Sequence, residues 1–172
     1  LGRKANFINE NLEDFLQKNS QKFDLIYLDP ARRDAQKNKK FLLEDLSPNL
    51  LEIQEKLGKI SDEIIIKLSP LIDISYLLSV LKHVSKIEII AVKNEVKELL
   101  VFINRKNSHT DTEIKCVNLE STDPDFIFNF NDEKNATAEY YDSQKFLYLP
   151  NNAVLKSGAF NTVAKKFKLL KL

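Results

Sequence analysis

The 172-residue sequence has one cysteine, two histidines, three glycines and no methionine. A single cysteine, Cys116, excludes a framework of intrachain disulfides and any cysteine-rich zinc site. Two histidines, His83 and His109, do not indicate a metal centre, so we expect no metal. Without an initiating methionine, and with an apolar, basic last stretch, we expect the sequence to be a fragment of a longer protein.

Long apolar runs and an excess of one charge are also absent. No run reaches the roughly 18 residues that a membrane-spanning helix needs, and no basic-then-apolar signal segment is present. We therefore expect no membrane partner and a cytoplasmic location. Lys and Arg total 26 against 25 Asp and Glu, so a nucleic-acid site would have to be a local patch.

Short apolar runs alternate with helical patterns in the first 120 residues. We predict strands at residues 5–8, 25–28, 63–67, 87–92 and 99–103, and the run at 25–28 is typical of a buried parallel strand. Helices are predicted to begin at Asn11, at Ser47-Pro48 and at Asp73, with Gly58 ending the second. This order predicts an α/β fold with a parallel sheet, in which the short link 93–97 joins a final antiparallel pair.

The last third of the chain is predicted to hold two more strands, at 114–119 and 126–130, and then a polar linker at 131–142. Residues 146–149 are apolar, and Pro150-Asn151-Asn152 precedes a helical pattern. We expect that helix to have an apolar face, formed by Ala153, Phe160, Ala164 and Phe167. We also expect a basic face, formed by Lys156, Lys165, Lys166 and Lys168.

Charged residues directly follow two of the predicted strands. Asp29-Pro30-Ala31-Arg32-Arg33 comes after the strand at 25–28, and Lys67-Leu68-Ser69-Pro70 ends the next one. Open α/β sheets bind ligands at the carboxyl ends of their strands. The alternative is an ordinary proline-containing turn with a solvated basic loop.

Five segments resemble a known family: DLIYLDPARRD, LEDLSPNLLEI, IIIKLSPLIDI, NEVKELLVFI and FLYLPNNAVLKSGAF. They resemble bacterial class I S-adenosylmethionine-dependent methyltransferases that carry a C-terminal THUMP-like domain. The resemblance implies a Rossmann-like sheet, truncated at the N-terminus and followed by a small α+β segment. It divides the chain into the carboxyl part of the methyltransferase domain (1–120), a connecting strand and linker (121–145) and the start of the THUMP-like domain (146–172).

The resemblance also implies S-adenosylmethionine as the cofactor. The family's glycine-rich loop is expected upstream, because Gly2, Gly58 and Gly158 do not follow predicted strands. Asn11 would contact the adenine with its amide oxygen, and a plain helix N-cap is the alternative reading of Asn11. Asp29 would lie near the methyl donor.

By the same resemblance, Asp29 and Pro30 form the catalytic motif, in which the carboxylate orients the acceptor and the proline fixes the turn. Ala31 and Arg32 replace the second proline and the aromatic residue of base-stacking amine methyltransferases. A uracil C5 mechanism is rejected, because it needs a cysteine nucleophile where this chain has Lys67-Leu68-Ser69-Pro70.

The remaining basic residues are candidates for substrate binding. Arg32 and Arg33 could hold a phosphate or pair with Asp34, Glu44 or Asp45. Lys67, together with Ser69, could bind substrate, or Lys67 could extend to solvent. The leading hypothesis is a methyltransferase acting on RNA by direct transfer; the alternatives are a non-catalytic RNA-binding protein and a small-molecule methyltransferase.

Overall fold

The computed structural model describes residues 5–32, 42–106 and 111–172. The helices are α1 Leu12–Lys18, α2 Leu50–Ile60, α3 Ile74–Val80, α4 Phe130–Asn135, α5 Asn152–Ser157 and α6 Phe160–Phe167, with a 3₁₀ turn at Leu43–Asp45. The strands are β1 Ile26–Leu28, β2 Ala31–Arg32, β3 Leu46–Ser47, β4 Glu63–Leu68, β5 Val84–Val92, β6 Glu95–Asn104, β7 Glu113–Leu119 and β8 Phe126–Asn129.

Six strands form one mixed sheet in the order β1-β4-β6-β5-β7-β8. The pairs β1/β4 and β5/β7 are parallel, whereas β4/β6, β5/β6 and β7/β8 are antiparallel. The predicted antiparallel pair is confirmed, since β5 and β6 form a hairpin. The prediction of a parallel sheet that ends in this pair is wrong, because β6 lies inside the sheet between β4 and β5 and three of the five pairings are antiparallel. Lys93 and Asn94 both take positive φ angles, of 49° and 64°, at its turn, as a two-residue turn between twisted strands requires.

The hydrophobic core lies on one face of this sheet. Strand β4 alternates between half-buried and buried residues, so that Ile64, Ile66 and Leu68 point to the core. Leu50 and Leu57 of α2 belong to the same buried cluster, as do side chains of α3 and α5. Each such side chain stabilises the fold by about 1.5–3 kcal/mol relative to an exposed position.

The first two predicted strands differ from the structure. Residues 5–8 lie in no strand, and Phe7 and Ile8 are exposed. Strand β1 pairs in parallel with β4, as predicted, but it forms the edge of the sheet, where Tyr27 is 56% exposed and Ile26 and Leu28 are half-buried. The prediction that this strand is buried is therefore wrong. Apolar residues form a buried strand only where a second strand and a covering layer supply partners.

The predicted start and stop of the second helix are also wrong. Ser47 is paired with Ala31 in the β2–β3 ribbon, and Asn49 caps α2 by accepting a hydrogen bond from Leu51 N at 3.0 Å. Gly58 lies inside α2, because the helix continues to Ile60. A Cβ on Gly58 would come within 2.5 Å of the Arg105 guanidinium, so the glycine makes room for that side chain.

Other helix predictions have mixed outcomes. Asp73 does cap α3, with its carboxylate accepting from Tyr76 N at 2.7 Å. The single helix predicted after residue 152 is two helices, because Gly158 takes a left-handed conformation (φ 73°) and ends α5. Phe130 begins α4 rather than ending a strand, so part of the predicted linker is helical.

A network of asparagines joins the carboxyl-terminal helices to the sheet. Asn94 accepts from Asn152 N through its side chain and from Asn152 Nδ2 through its backbone carbonyl, both at 2.6 Å. Its own N–H donates to Asn118 Oδ1 at 2.8 Å. Asn118 and Asn151 both donate to Asp123, and these hydrogen bonds lower the pKa of that carboxyl. The hairpin turn is therefore the attachment point of α5.

No helix in the described part of the chain is long and apolar enough to cross a membrane.

Replacing Asn94 should separate its two roles. Asn94→Gly keeps the left-handed turn and removes one side-chain acceptor, and should lower the free energy of unfolding by about 1 kcal/mol. Asn94→Ala also strains the backbone and should cost about 1–2 kcal/mol more. Denaturant titration measures both values; wild-type stability in the two variants would contradict the assigned role.

Candidate functional site

Asp29 and Lys67 meet at the carboxyl end of the β1–β4 pair. The parallel register matches Leu28 with Ile66, so the next residue on each strand, Asp29 and Lys67, stand side by side. The Lys67 Nζ lies 2.6 Å from Asp29 Oδ2, with the two side chains 33% and 52% exposed. Pro30 cannot donate a backbone hydrogen bond, and β1 ends just before Asp29. The structure thus brings together two residues predicted for the site.

The charges around Lys67 favour its protonated form. The hydrogen bond to Asp29 raises the pKa of Lys67 above its usual value, against the opposing effect of partial burial. The charge of Asp29 acts in the same direction, as do Tyr27 and Glu98. Lys67 is therefore an ammonium donor to the carboxylate at any physiological pH.

Tyr27 and Glu98 were not among the predicted site residues. Strand alternation could have indicated Tyr27, because it precedes Asp29 by two positions and so projects from the same face. The sequence could not indicate Glu98, since β6 lies beside β4 only through an antiparallel pairing, in which Leu99 faces Leu68.

The chain after Asp29 forms a small ribbon beside the sheet. Ala31 and Arg32 pair with Ser47 and Leu46 in the antiparallel β2–β3 ribbon. The 3₁₀ turn before β3 is held to α3 through Tyr76: its hydroxyl donates to Glu44 Oε2 at 2.5 Å. Burial raises the pKa of Tyr76, and the hydrogen bond to Glu44 adds to that effect, so the hydroxyl remains a neutral donor.

The remaining residues predicted to bind substrate are Arg32, Arg33 and Ser69. Arg32 contributes its backbone to β2, and Arg33 lies outside the described residues. Phosphate binding and ion pairing by these arginines therefore both stay predictions. Ser69 Oγ accepts a hydrogen bond from Leu71 N at 3.3 Å within the turn after β4, and its role in substrate binding stays a prediction.

Asn11 occupies the N-cap position of α1, but its side chain makes no capping hydrogen bond. Its backbone carbonyl accepts from Phe15 N at 3.0 Å, as the first intrahelical bond does. The amide group is thus not used by the helix. The predicted contact of this side chain with adenine stays a prediction.

The described residues include a carboxylate that suits a cofactor site, but they do not include a glycine-rich turn. A half-exposed carboxylate at a strand end, Asp29, suits a cationic methyl donor or its acceptor. A glycine-rich turn is not formed by the two described glycines, because Gly58 lies within α2 and Gly158 ends α5. Across residues 5–32, 42–106 and 111–172, no cluster of His, Cys, Asp and Glu could hold a metal ion.

The structure is similar to the crystal structure of a "putative methyltransferase" from Porphyromonas gingivalis W83, with 37% sequence identity and a TM-score of 0.77. The match covers 87% of this chain and 37% of that protein, so the chain spans little more than a third of that protein's length. The mixed sheet of this chain is therefore a methyltransferase-like fold.

Two further comparisons are more limited. A family model described as a ferredoxin-like domain matches residues 146–172, the range predicted to begin a THUMP-like domain. The match to a structure of a type I R-M system covers 93% of this chain and 45% of the matched chain. Its sequence identity is 12% and its TM-score 0.38, so no conclusion is based on it. No curated protein matches the chain.

The Asp29–Lys67 pair should be visible in a lysine titration. Asp29→Asn removes the charge but keeps an acceptor, so the pKa of Lys67 should fall in the variant, as followed by NMR of labelled lysine side chains. Lys115, whose pKa is raised by its hydrogen bond to Asp125, is the internal control and should not change. Because the folded pKa of Lys67 is raised, the pair's contribution to stability is present below the unfolded pKa of 10.5 and is lost as pH rises through the folded value. An unchanged Lys67 pKa in Asp29→Asn would contradict the pair.

Proposed function

We propose that this chain is part of a class I S-adenosylmethionine-dependent methyltransferase that acts on RNA. The observation that carries the proposal is the similarity to the Porphyromonas gingivalis protein, at 37% identity and a TM-score of 0.77. The position of Asp29 supports it, because this carboxylate stands at the carboxyl end of β1, where open α/β sheets bind ligands.

In this proposal Asp29 orients the methyl acceptor. Its carboxylate accepts a hydrogen bond from an acceptor N–H or O–H, which aims the lone pair at the methyl group, and Pro30 holds the turn. The bound cofactor supplies the electrophilic methyl group. Rate enhancement comes mainly from holding the acceptor in line for displacement, which requires positioned groups rather than a covalent intermediate.

Cys116 supports direct transfer over covalent catalysis. It lies in β7 and is almost fully buried, on the core side of the sheet. Burial raises the pKa of its thiol to about 11, although a hydrogen bond with Ser157 opposes the shift. A thiol of this kind is not a nucleophile near neutral pH.

RNA as the substrate rests on local basic residues of the last helix. Lys165 and Lys166 are exposed on α6, and the Lys166 ammonium lies 4.6 Å from the centre of the Phe126 ring. The basic face is narrower than the sequence predicts, because Lys156 donates to the Ile72 carbonyl at 2.9 Å and is partly buried. Burial lowers the pKa of Lys156.

Two measurements on the full-length protein test the proposal. Titration with S-adenosylmethionine should show saturable binding, and mass spectrometry of RNA should show a methylated nucleoside that is missing from cells without the protein. Failure to bind the cofactor would reject a methyltransferase. Cofactor binding with unchanged RNA would reject RNA as the substrate and favour the small-molecule alternative.

Asp29→Ala should lower the rate of methyl transfer about tenfold or more, because the acceptor loses its orienting hydrogen bond. Affinity for S-adenosylmethionine should stay near the wild-type value. The matched control is Asp125→Ala, which removes a carboxylate that pairs with Lys115 at 3.0 Å elsewhere on the sheet. Equal turnover in wild type and Asp29→Ala would remove Asp29 from catalysis.

The double variant Arg32→Ala, Arg33→Ala tests phosphate binding by these side chains. If both contact phosphate, the slope of log affinity for RNA against log salt concentration should flatten by about 1.4–1.8. If they pair instead with Asp34, Glu44 or Asp45, the slope should match that of the wild type. The binding isotherms are measured at several salt concentrations for both proteins.

A further inference from the structure

Lys67 projects from a strand that is held on both sides. Strand β4 pairs with β1 on one side and with β6 on the other, and Lys67 itself is in register with Leu100 of β6. Asp29, in contrast, follows the three-residue edge strand β1 and begins the loop that leads to the β2–β3 ribbon. The backbone of Lys67 is therefore held by more strand pairing than the backbone of Asp29.

The environment of the pair differs from that of a solvated surface pair. Lys82 and Glu55 also form an ion pair, at 2.9 Å, but their side chains are 65% and 54% exposed, and such pairs contribute little. The difference lies in the lysine: Lys67 is only 33% exposed, whereas Asp29, at 52%, is about as exposed as Glu55. Negative charge from Glu98 further favours the Lys67 ammonium at this place.

The contact with Asp29 competes with the predicted binding of substrate by Lys67. The Lys67 ammonium keeps two further N–H groups, but the Asp29 carboxylate at 2.6 Å already balances its charge and weakens its attraction for a phosphate. A rotation of the Asp29 side chain, on the other hand, is restricted as long as Lys67 holds one of its oxygens. The geometry is therefore that of a support for Asp29.

We propose that Lys67 is a positioning residue, which holds Oδ2 of Asp29 so that Oδ1 accepts the hydrogen bond of the methyl acceptor. This inference rests on the proposed methyltransferase function and assigns Lys67 a role in turnover rather than in binding of RNA. Groups that are held in place before the substrate arrives lose less rotational freedom in the transition state.

The test uses the full-length protein, S-adenosylmethionine labelled in its methyl group, and RNA prepared from cells that lack the protein. Lys67→Met keeps the length of the side chain and removes its charge, and should lower kcat about tenfold with apparent KM for RNA nearly unchanged. Lys67→Arg can still donate to Asp29 and should recover most of the lost turnover. Lys82→Met removes an ion pair remote from the site and should behave as wild type.

The salt dependence of RNA binding separates positioning from phosphate contact. Lys67→Met should leave the slope of log affinity against log salt unchanged, because no phosphate contact is lost. A slope that flattens by about 1, with kcat unchanged, would overturn the inference and restore the predicted role in substrate binding.

The outcomes also distinguish this inference from the function on which it depends. A wild-type protein that transfers no methyl group to RNA or to small acceptors overturns the proposed function and Lys67's role with it. An active wild type whose Lys67→Met variant has the wild-type kcat overturns the Lys67 inference alone. A reduced kcat that Lys67→Arg does not recover also overturns it, because the loss then does not follow from the hydrogen bond to Asp29.

Discussion

The pairing of Leu28 with Ile66 in parallel register decides the geometry of the site. A shift by one residue would turn every side chain of β1 to the opposite face and separate Asp29 from Lys67. The register is held by burial, because Ile64, Ile66 and Leu68 of β4 point to the core and leave Lys67 on the other face. The ion pair at the strand ends is thus a consequence of how the core packs.

The two faces of the sheet serve different purposes. Buried side chains on one face contact the helices, whereas the other face alternates apolar residues with charges that pair along it. Lys86, for example, lies 2.8 Å from Glu88 and 4.1 Å from the centre of the Phe102 ring. Charges on a half-buried surface have to be paired in this way. Asp29 and Lys67 follow the same rule, but at a strand end, where a ligand can reach the carboxylate.

The hairpin turn at Asn94 connects this sheet to the segment that matches a ferredoxin-like domain. The turn requires a positive φ angle at this position, and asparagine adopts that conformation more readily than most residues. The same side chain accepts a hydrogen bond from the start of α5. The NEVKELLVFI segment, which begins at Asn94, therefore has a structural role in joining the two parts of the chain.

Sequence alone determined the features that depend on neighbouring residues: the cap at Asp73, the antiparallel β5–β6 hairpin and the strand that ends before Asp29. It led to errors where the outcome depends on distant partners. Ser47 pairs with Ala31 instead of capping a helix, and β1 lies at an exposed edge. Likewise, Lys67 was predicted correctly as a residue near the strand end, but only the register between β1 and β4 decided that its partner is Asp29. Local backbone preferences are encoded within a few residues, whereas strand register and burial are settled by packing between segments far apart in the chain.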